Sequence, residues 1–365
     1  MRVMIAAGGS GGHIFPAVAT AMELEKAGVD DICFVSSKRE LDKRVMTTLR
    51  YRTFFLSVNP MPFGPNIFRW IVFFLKLMAD ACVSLYLLFR LRPTVVAGFG
   101  GYSAGTVVRC AALIGIPVLV HEQNFYPGRA NRMLSRAVGR IAVSFSETEK
   151  YFPGAEKKVI VTGNPIRLEM LSKDRSVALR FLGLRCDRRT VLIMGGSQGA
   201  VFLNKVARQA AERVFRPDAR VQFIHLTGKA DHDLIERFYE EKGIPAKVYA
   251  FIDRIDMAYA ACDMAISRAG AAAVFELAYY ERPMILIPYP NPRNSQRSNA
   301  MSFSRAGAAV YLEESGLSAD MLACEITNIL ADSEKSRKMS GAAARLAAPG
   351  AGRELAKEII GMAAA

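Results

Sequence analysis

The sequence predicts an α/β fold made of two similar parallel-sheet units, and three observations carry that prediction. A phrase recurs: residues 4–15 read MIAAGGSGGHIF and residues 191–202 read VLIMGGSQGAVF, pairing Gly8, Gly9, Ser10, Gly12 and Phe15 with Gly195, Gly196, Ser197, Gly199 and Phe202. Apolar runs of four to six residues alternate with longer helical patterns along the chain, the mark of βαβ crossovers. Every glycine cluster follows a strand pattern, which is where open α/β sheets bind ligands. With 365 residues there is chain enough for two domains of ordinary size.

Taken in order, residues 3–6 form a strand that enters Gly8-Gly9-Ser10-Gly11-Gly12-His13 and then a helix over 15–27. Further strands are expected at 32–35, 94–97, 117–120 and 140–143. A second set is expected at 159–162, 190–194, 222–226, 247–250, 264–267 and 284–287. Helical patterns cover 202–214, 272–280 and 352–364. A glycine turn between strand and helix leaves backbone N–H groups at a helix N-terminus, which suits an anion. The repeats differ at one informative position: His13 in the first is Ala200 in the second, so only the first carries a group that could move a proton. A domain break fits Val161-Thr162-Gly163-Asn164-Pro165, where a strand ends in Gly and Asn-Pro.

Residues 67–91, IFRWIVFFLKLMADACVSLYLLFRL, are the most apolar stretch. Lys76 and Asp80 break it into uncharged runs of about ten residues or fewer, where a membrane span needs about twenty. On a helix Arg69, Lys76 and Asp80 share one narrow stripe. The segment therefore reads as a helix either largely buried or lying against a membrane, with Arg69, Lys76, Arg90 and Arg92 available to anionic headgroups.

Composition narrows the classes. The chain is 51% hydrophobic with a net charge of +14, which admits nucleic acid, an anionic membrane surface or anionic substrates as partners. No basic run with interleaved aromatics and no nucleic-acid motif is present, so no nucleic-acid partner is expected. Six cysteines without a C-x-x-C pair argue against a zinc site or disulfide framework. The first residues carry no signal-peptide pattern.

The first glycine turn departs from a dinucleotide fingerprint, since position 14 is Ile14 and the second strand ends Val35-Ser36-Ser37-Lys38 without an acidic residue. An NADP enzyme using Lys38 or Arg39 stays open. Gly98-Phe99-Gly100-Gly101-Tyr102 makes a third glycine turn, and two phosphate-type turns in one domain suit a pyrophosphate. His121-Glu122-Gln123-Asn124 sets four polar side chains at a strand's carboxyl end, expensive to bury without partners, so the quartet reads as a site rather than as core. Ser267-Arg268-Ala269-Gly270 precedes a helix bearing Glu276, which is either an exposed charge or an acceptor for a ribose. The loop 288–299, with Arg293, Asn294, Gln296 and Asn299, suits hydroxyl recognition or is merely solvated. Asp231-His232-Asp233 reads as helix capping rather than metal binding.

In this order the motifs resemble the MurG family, peripheral membrane N-acetylglucosaminyltransferases that make lipid II from lipid I in peptidoglycan synthesis. The matching pieces are GGSGGHIFPA (8–17), GFGGY (98–102), GIPVLVHEQN (115–124), VTGNPIR (161–167), GGSQGA (195–200), FID (251–253), SRAGAAAVFE (267–276) and SQRSNA (295–300). The resemblance implies two Rossmann-like domains with a deep inter-domain cleft, the GT-B glycosyltransferase architecture. It implies an acceptor- and membrane-binding domain over 1–164 plus a returning C-terminal helix at 346–365, and a UDP-sugar-binding domain over 165–345. For the donor, UDP-N-acetylglucosamine, it implies Ser197 and Arg167 near the phosphates, Ile252 near the uracil, and Ala271, Ala272, Ala273, Val274, Phe275 and Glu276 along the nucleotide, with Glu276 on the ribose. Gln296 would read the sugar, Asn124 would reach it from the first domain, and Ser10, Gly11 and Gly12 match first-loop donor contacts. Gly9, Gly100, Gly101 and Tyr102 would take the acceptor's pyrophosphate. Ile67, Trp70, Ile71 and Phe74 would dock on the cytoplasmic face of the inner membrane. Departures are Ser10 for the usual Thr, Ser295 before Gln296, and Ala272-Ala273 where Leu-Thr is common.

The mechanism this implies is an in-line displacement with inversion, the acceptor's 4-hydroxyl attacking the anomeric carbon as UDP leaves. Histidine titrates near neutrality, so His13 is the first choice for general base and Glu122 the second. No metal and no cofactor are required. The implied partners are the undecaprenyl-pyrophosphoryl lipid acceptor, the anionic membrane surface and, in cells, cell-wall synthesis or division proteins. Rivals are a transferase acting on diacylglycerol, a UDP-sugar epimerase with the same two-domain plan, and an NADP oxidoreductase.

Overall fold

The computed structural model describes residues 1–57, 62, 64, 66–167, 172–196, 199–216, 220–290 and 295–364, apart from the side chains of Leu41, Tyr102 and Ser103. The chain divides into two compact units, Met1–Arg167 with Ala348–Ala365, and Leu168–Ala347.

Unit 1 contains β1 (Arg2–Ala6), α1 (Gly11–Lys26), β2 (Asp31–Ser37), α2 (Glu40–Thr47), β3 (Arg52–Leu56), α3 (Ile67–Leu91), β4 (Val95–Gly98), α4 (Tyr102–Leu113), β5 (Val118–Glu122), α5 (Arg129–Leu134), β6 (Arg140–Val143) and β7 (Val159–Val161). Among the described residues its sheet runs β3-β2-β1-β4-β5-β6-β7, all parallel. Parallel strands covered on both faces read as continuous apolar runs, and β1, with Val3, Met4, Ile5 and Ala6 all buried, is such a run. One face packs on α1, whose Ile14, Ala17, Val18, Ala21 and Leu24 recur at helical spacing. The other face packs on α3 and α4 through Leu87, Leu88, Leu91, Val107, Val108 and Ala111.

Unit 2 contains α6 (Arg175–Leu182), β8 (Arg189–Met194), α7 (Val201–Val214), β9 (Val221–Leu226), α8 (His232–Glu241), β10 (Ala246–Tyr249), α9 (Ile255–Ala261), β11 (Met264–Ser267), α10 (Ala271–Tyr279), β12 (Met284–Leu286), α11 (Gln296–Arg305), β13 (Ala309–Tyr311), α12 (Ala319–Ala331) and α13 (Ser333–Leu346). Its parallel sheet runs β10-β9-β8-β11-β12-β13, the same order as the first six strands of unit 1. The recurring phrase thus marks a repeated fold. The last helix, α14 (Ala351–Ala364), belongs to unit 1, where Leu355, Ala356 and Ile359 join the core beneath α1.

Three sequence expectations need correction. Residues 159–162 were grouped with the second set of strands, but β7 pairs with β6 and ends the first sheet. β3 and β13 had no counterpart among the expected strands; both lie at or near a sheet edge, where half-exposed residues blur the period-2 signal. Along the stripe of Arg69, Lys76 and Asp80 exposure falls, Arg69 being exposed and Lys76 half-buried. Asp80 is buried and accepts the Ser57 N–H at 3.0 Å. α3 is also long and apolar enough, by length and composition, to cross a membrane, where its charge spacing alone had argued otherwise. In the structure one side packs on unit 1 while Ile67, Phe68, Ile71, Phe74, Leu75 and Met78 face outward.

Candidate active site

In each sheet the strand order reverses direction at one place, between β1 and β4 in unit 1 and between β8 and β11 in unit 2. Ligands of open α/β sheets bind outside the carboxyl ends at such switch points. All four glycine turns lie there: 8–12 after β1, 98–101 after β4, 195–199 after β8 and 267–270 after β11.

In unit 1 the two turns interlock. A Cβ at Gly101 would sit 2.2 Å from the Gly8 oxygen, and Gly101 has φ +88°, so no other residue fits. The α1 N-cap is Ser10, whose side chain makes no capping bond; its Oγ lies 3.3 Å from His13 Nδ1. The first N–H groups of a helix, here those of Gly11 and Gly12, have no intrahelical acceptor. His13 Nδ1 is 3.0 Å from the Gly8 oxygen. A carbonyl only accepts, so Nδ1 carries a proton, and in the neutral ring the lone pair falls on Nε2. Gly100 lies against the Cδ2–Nε2 edge of that ring.

The Gly9 N–H donates to Asp42 Oδ2 at 2.6 Å. This displaces one expectation: the Gly9 donor, expected to face an acceptor pyrophosphate, is already engaged within the protein. The side chain of Tyr102 lies outside the described residues.

His121, Glu122 and Gln123 form a buried brace rather than a reactive cluster. His121 Nε2 donates to the Gly163 oxygen at 3.0 Å, and Gln123 Nε2 donates to the Phe99 oxygen and to His121 Nδ1. Burial pushes the His121 imidazole down to about 4, so it is neutral near pH 7. Glu122 accepts four bonds: Oε1 from the Asn124 N–H and Nδ2, Oε2 from the Gly128 N–H and Asn131 Nδ2. It is 2% exposed. A buried carboxylate with both oxygens committed holds the loop 124–131 in place. Asn124, half-buried, is the one member of the quartet that reaches the surface. The guanidinium of Arg167 lies 4.3 Å over the Phe15 ring.

In unit 2 the second turn is equally tight. A Cβ at Gly199 would fall 2.3 Å from the Thr227 oxygen. Asn204 on α7 ties this region together, donating to the Thr227 oxygen and to Asp231 Oδ2 and contacting His225 Nε2. Asp231 is indeed the residue before α8, but its carboxylate turns to Asn204 and makes no cap. Ser197 lies outside the described residues. Glu276 is half-buried on α10 and accepts the Tyr259 hydroxyl at 2.9 Å. Gln296 Oε1 accepts the Tyr289 N–H at 3.0 Å. Asn299 is fully buried with its amide on the Ala269 oxygen, so it braces the turn and does not read hydroxyls. Arg293 and Asn294 lie outside the described residues. Among the described residues no three His, Cys, Asp or Glu gather as metal ligands.

Residues 3–143 match the glycosyltransferase family 28 N-terminal domain and residues 190–355 its C-terminal domain. A relative from Halothermothrix orenii, UDP-N-acetylglucosamine–N-acetylmuramyl-(pentapeptide) pyrophosphoryl-undecaprenol N-acetylglucosamine transferase, is 36% identical over 96% of this chain and 95% of its own. The solved structure of Acinetobacter baumannii MurG superposes with a TM-score of 0.77 at 25% identity, covering 99% of this chain and all of that one. The chain belongs to the MurG family. The Neisseria meningitidis UDP-GlcNAc 2-epimerase also superposes, with a TM-score of 0.70 over 99% of this chain and all of that one, but at 14% identity that likeness concerns the fold alone.

For a MurG-family chain the remaining expected contacts divide by exposure. Ala271, Val274 and Phe275 are buried, Phe275 against Phe303 at 5.5 Å, so only their backbone could meet a nucleotide. Ala272, Ala273 and Ile252 are half-buried. Ile67, Ile71 and Phe74 are exposed, and Trp70 stacks with Phe74 while its Nε1 donates to the Gly64 oxygen. Sequence reasoning missed Asp42, Phe15 and Tyr259 as supports of the turn, Arg167 and Glu276. Phe15 alone carried a signal, its place in the repeat.

Proposed function

We infer that this chain transfers N-acetylglucosamine from UDP-N-acetylglucosamine to lipid I, giving lipid II for peptidoglycan. The observation that carries this is identity of more than a third with a transferase of that name over nearly the full length of both chains. The same observation separates the reading from an epimerase, whose likeness is confined to the fold.

Within that activity, unit 2 binds the donor and unit 1 the acceptor. The hydroxyl of the N-acetylmuramyl sugar loses its proton to His13 Nε2 as it attacks the anomeric carbon, with inversion. Support for His13 is its tautomer, set by the Gly8 carbonyl, and its half-exposed place at the switch point of the sheet. Charge developing on UDP is met by Arg167, by Ser197 and by backbone N–H groups at helix N-termini. A helix terminus contributes about 0.3–1 kcal/mol and up to ~2 when partly buried, too little alone, so Arg167 matters. Glu276 takes the ribose hydroxyls, held by Tyr259. The outward face of α3 rests on the cytoplasmic leaflet, its apolar side chains in the interface and the excess positive charge of the chain toward anionic headgroups.

Radiolabelled UDP-N-acetylglucosamine incubated with lipid I tests the reaction, and absence of labelled lipid product refutes it. For the base, His13→Gln should abolish turnover; near-normal turnover in that variant would remove His13 from the role.

A further inference from the structure

The peptide group joining Gly8 to Gly9 is held at both ends. Its carbonyl accepts from His13 Nδ1 at 3.0 Å, and its N–H donates to Asp42 Oδ2 at 2.6 Å. Asp42 comes from α2, one crossover away, and is fully buried. The same oxygen also takes the Ser37 hydroxyl, while Oδ1 is buried without a hydrogen bond among the described residues. Arg39 Nη1 clamps the next peptide through the Gly9 oxygen at 3.0 Å. Carboxylate, peptide and imidazole therefore stand in one hydrogen-bonded chain.

Hydrogen bonds in a chain polarise one another. A carboxylate drawing on the N–H makes the carbonyl of the same peptide a stronger acceptor, and that strengthens its hold on the Nδ1 proton. In many histidine bases a carboxylate does this by direct contact, fixing the tautomer and steadying the imidazolium that forms. We propose that Asp42 is a positioning residue for the transfer, acting through the Gly8–Gly9 peptide to hold His13 with its proton on Nδ1 and to make Nε2 the stronger base. The proton taken from the acceptor hydroxyl ends on Nε2; Asp42 gains none. Charged or titratable groups near this chain of bonds include Arg39, on the turn before α2, and the buried neutral His121 at the end of β5. α4 contributes Gly100 and Gly101 ahead of it, which bring no charge.

The proposal rests on His13 as the base, and the experiment keeps the two apart. The chain has only four histidines, so their imidazole nitrogens are separable by long-range proton–nitrogen NMR. The wild-type protein should show His13 protonated on Nδ1 in its neutral form. Asp42→Asn should shift it toward the Nε2–H tautomer and lower its titration midpoint by about one pH unit, the low end of what a nearby carboxylate does. The acid limb of kcat against pH should move down by the same amount, and kcat on the plateau should fall about tenfold with KM for UDP-N-acetylglucosamine nearly unchanged. An Nε2–H tautomer in the wild type overturns the proposal even if Asp42→Asn does not fold. An unchanged midpoint in a folded Asp42→Asn protein overturns it as well. If His13→Gln keeps its turnover, the base assignment fails, yet tautomer and midpoint still report on the relay.

Discussion

The guanidinium of Arg167 stacks on the ring of Phe15, 4.3 Å from its centroid, at the base of the first glycine turn. Phe15 is the last residue of the repeated phrase, and its ring also occupies the space beside Gly11, where a Cβ would come within 2.9 Å. The phrase thus contributes an aromatic seat for a cation as well as backbone donors. Such contacts contribute about 0.5–1 kcal/mol at exposed sites and ~2 when desolvated. Phe15→Leu should therefore raise KM for UDP-N-acetylglucosamine roughly two- to thirtyfold. Steady-state kinetics at fixed lipid I checks this; an unchanged KM would mean that Arg167 holds its place without the ring.

Glu122 and His13 should separate in their effects. Glu122→Gln puts an amide where four donors converge, so at least one donor faces another. The cost should be about 2–3 kcal/mol of stability, read as a lower midpoint in urea. His13→Gln should leave that midpoint within about 0.5 kcal/mol, the usual span for a site that is not buried. The reverse pattern would return Glu122 to the chemistry.

Acid should destabilise the protein before its carboxylates titrate. Burial lowers His121 to about 4 and His225 to about 3, from an ordinary 6.5. Between those values the unfolded chain binds more protons than the native one, so stability falls as pH falls. The contribution of both groups is complete above about pH 6.5 and is lost progressively toward pH 4 and below. The melting temperature should be level from pH 8 to 7 and then drop steadily from 6.5 to 4. A flat profile over that window would show that neither imidazole is held neutral.

The outward face of α3 should bind lipid. Ile71 and Phe74 are about half exposed, so Ile71→Glu with Phe74→Glu removes apolar area and adds two negative charges at little cost to folding. Flotation with vesicles containing phosphatidylglycerol should show association of the wild type and about a tenfold loss in the double variant, with the melting temperature unchanged. Equal flotation of both proteins would place the membrane contact elsewhere.

Much of this architecture was legible in the residues. The duplicated GGS turn, placed after one strand and before one helix, determined two units of one design, because such a turn needs glycine's freedom and a helix N-terminus together. Strong central strands such as β1 and β8 were plain, since burial on both faces makes them uniformly apolar. Edges were not: β3 and β13 are made mostly of half-buried positions and show no clean period. The HEQN quartet shows where the two sources part. Sequence alone declared that four polar residues at a strand end need partners. Only the tertiary structure decided that His121, Glu122 and Gln123 find those partners inside unit 1, at Gly163, Asn131 and Phe99, leaving Asn124 to face outward. In the same way His13 stood out by its difference from Ala200, whereas Asp42 did not stand out at all. Its link to Gly9 spans 33 positions, and a hydrogen bond closed by a β-strand crossover leaves no periodic trace along the chain.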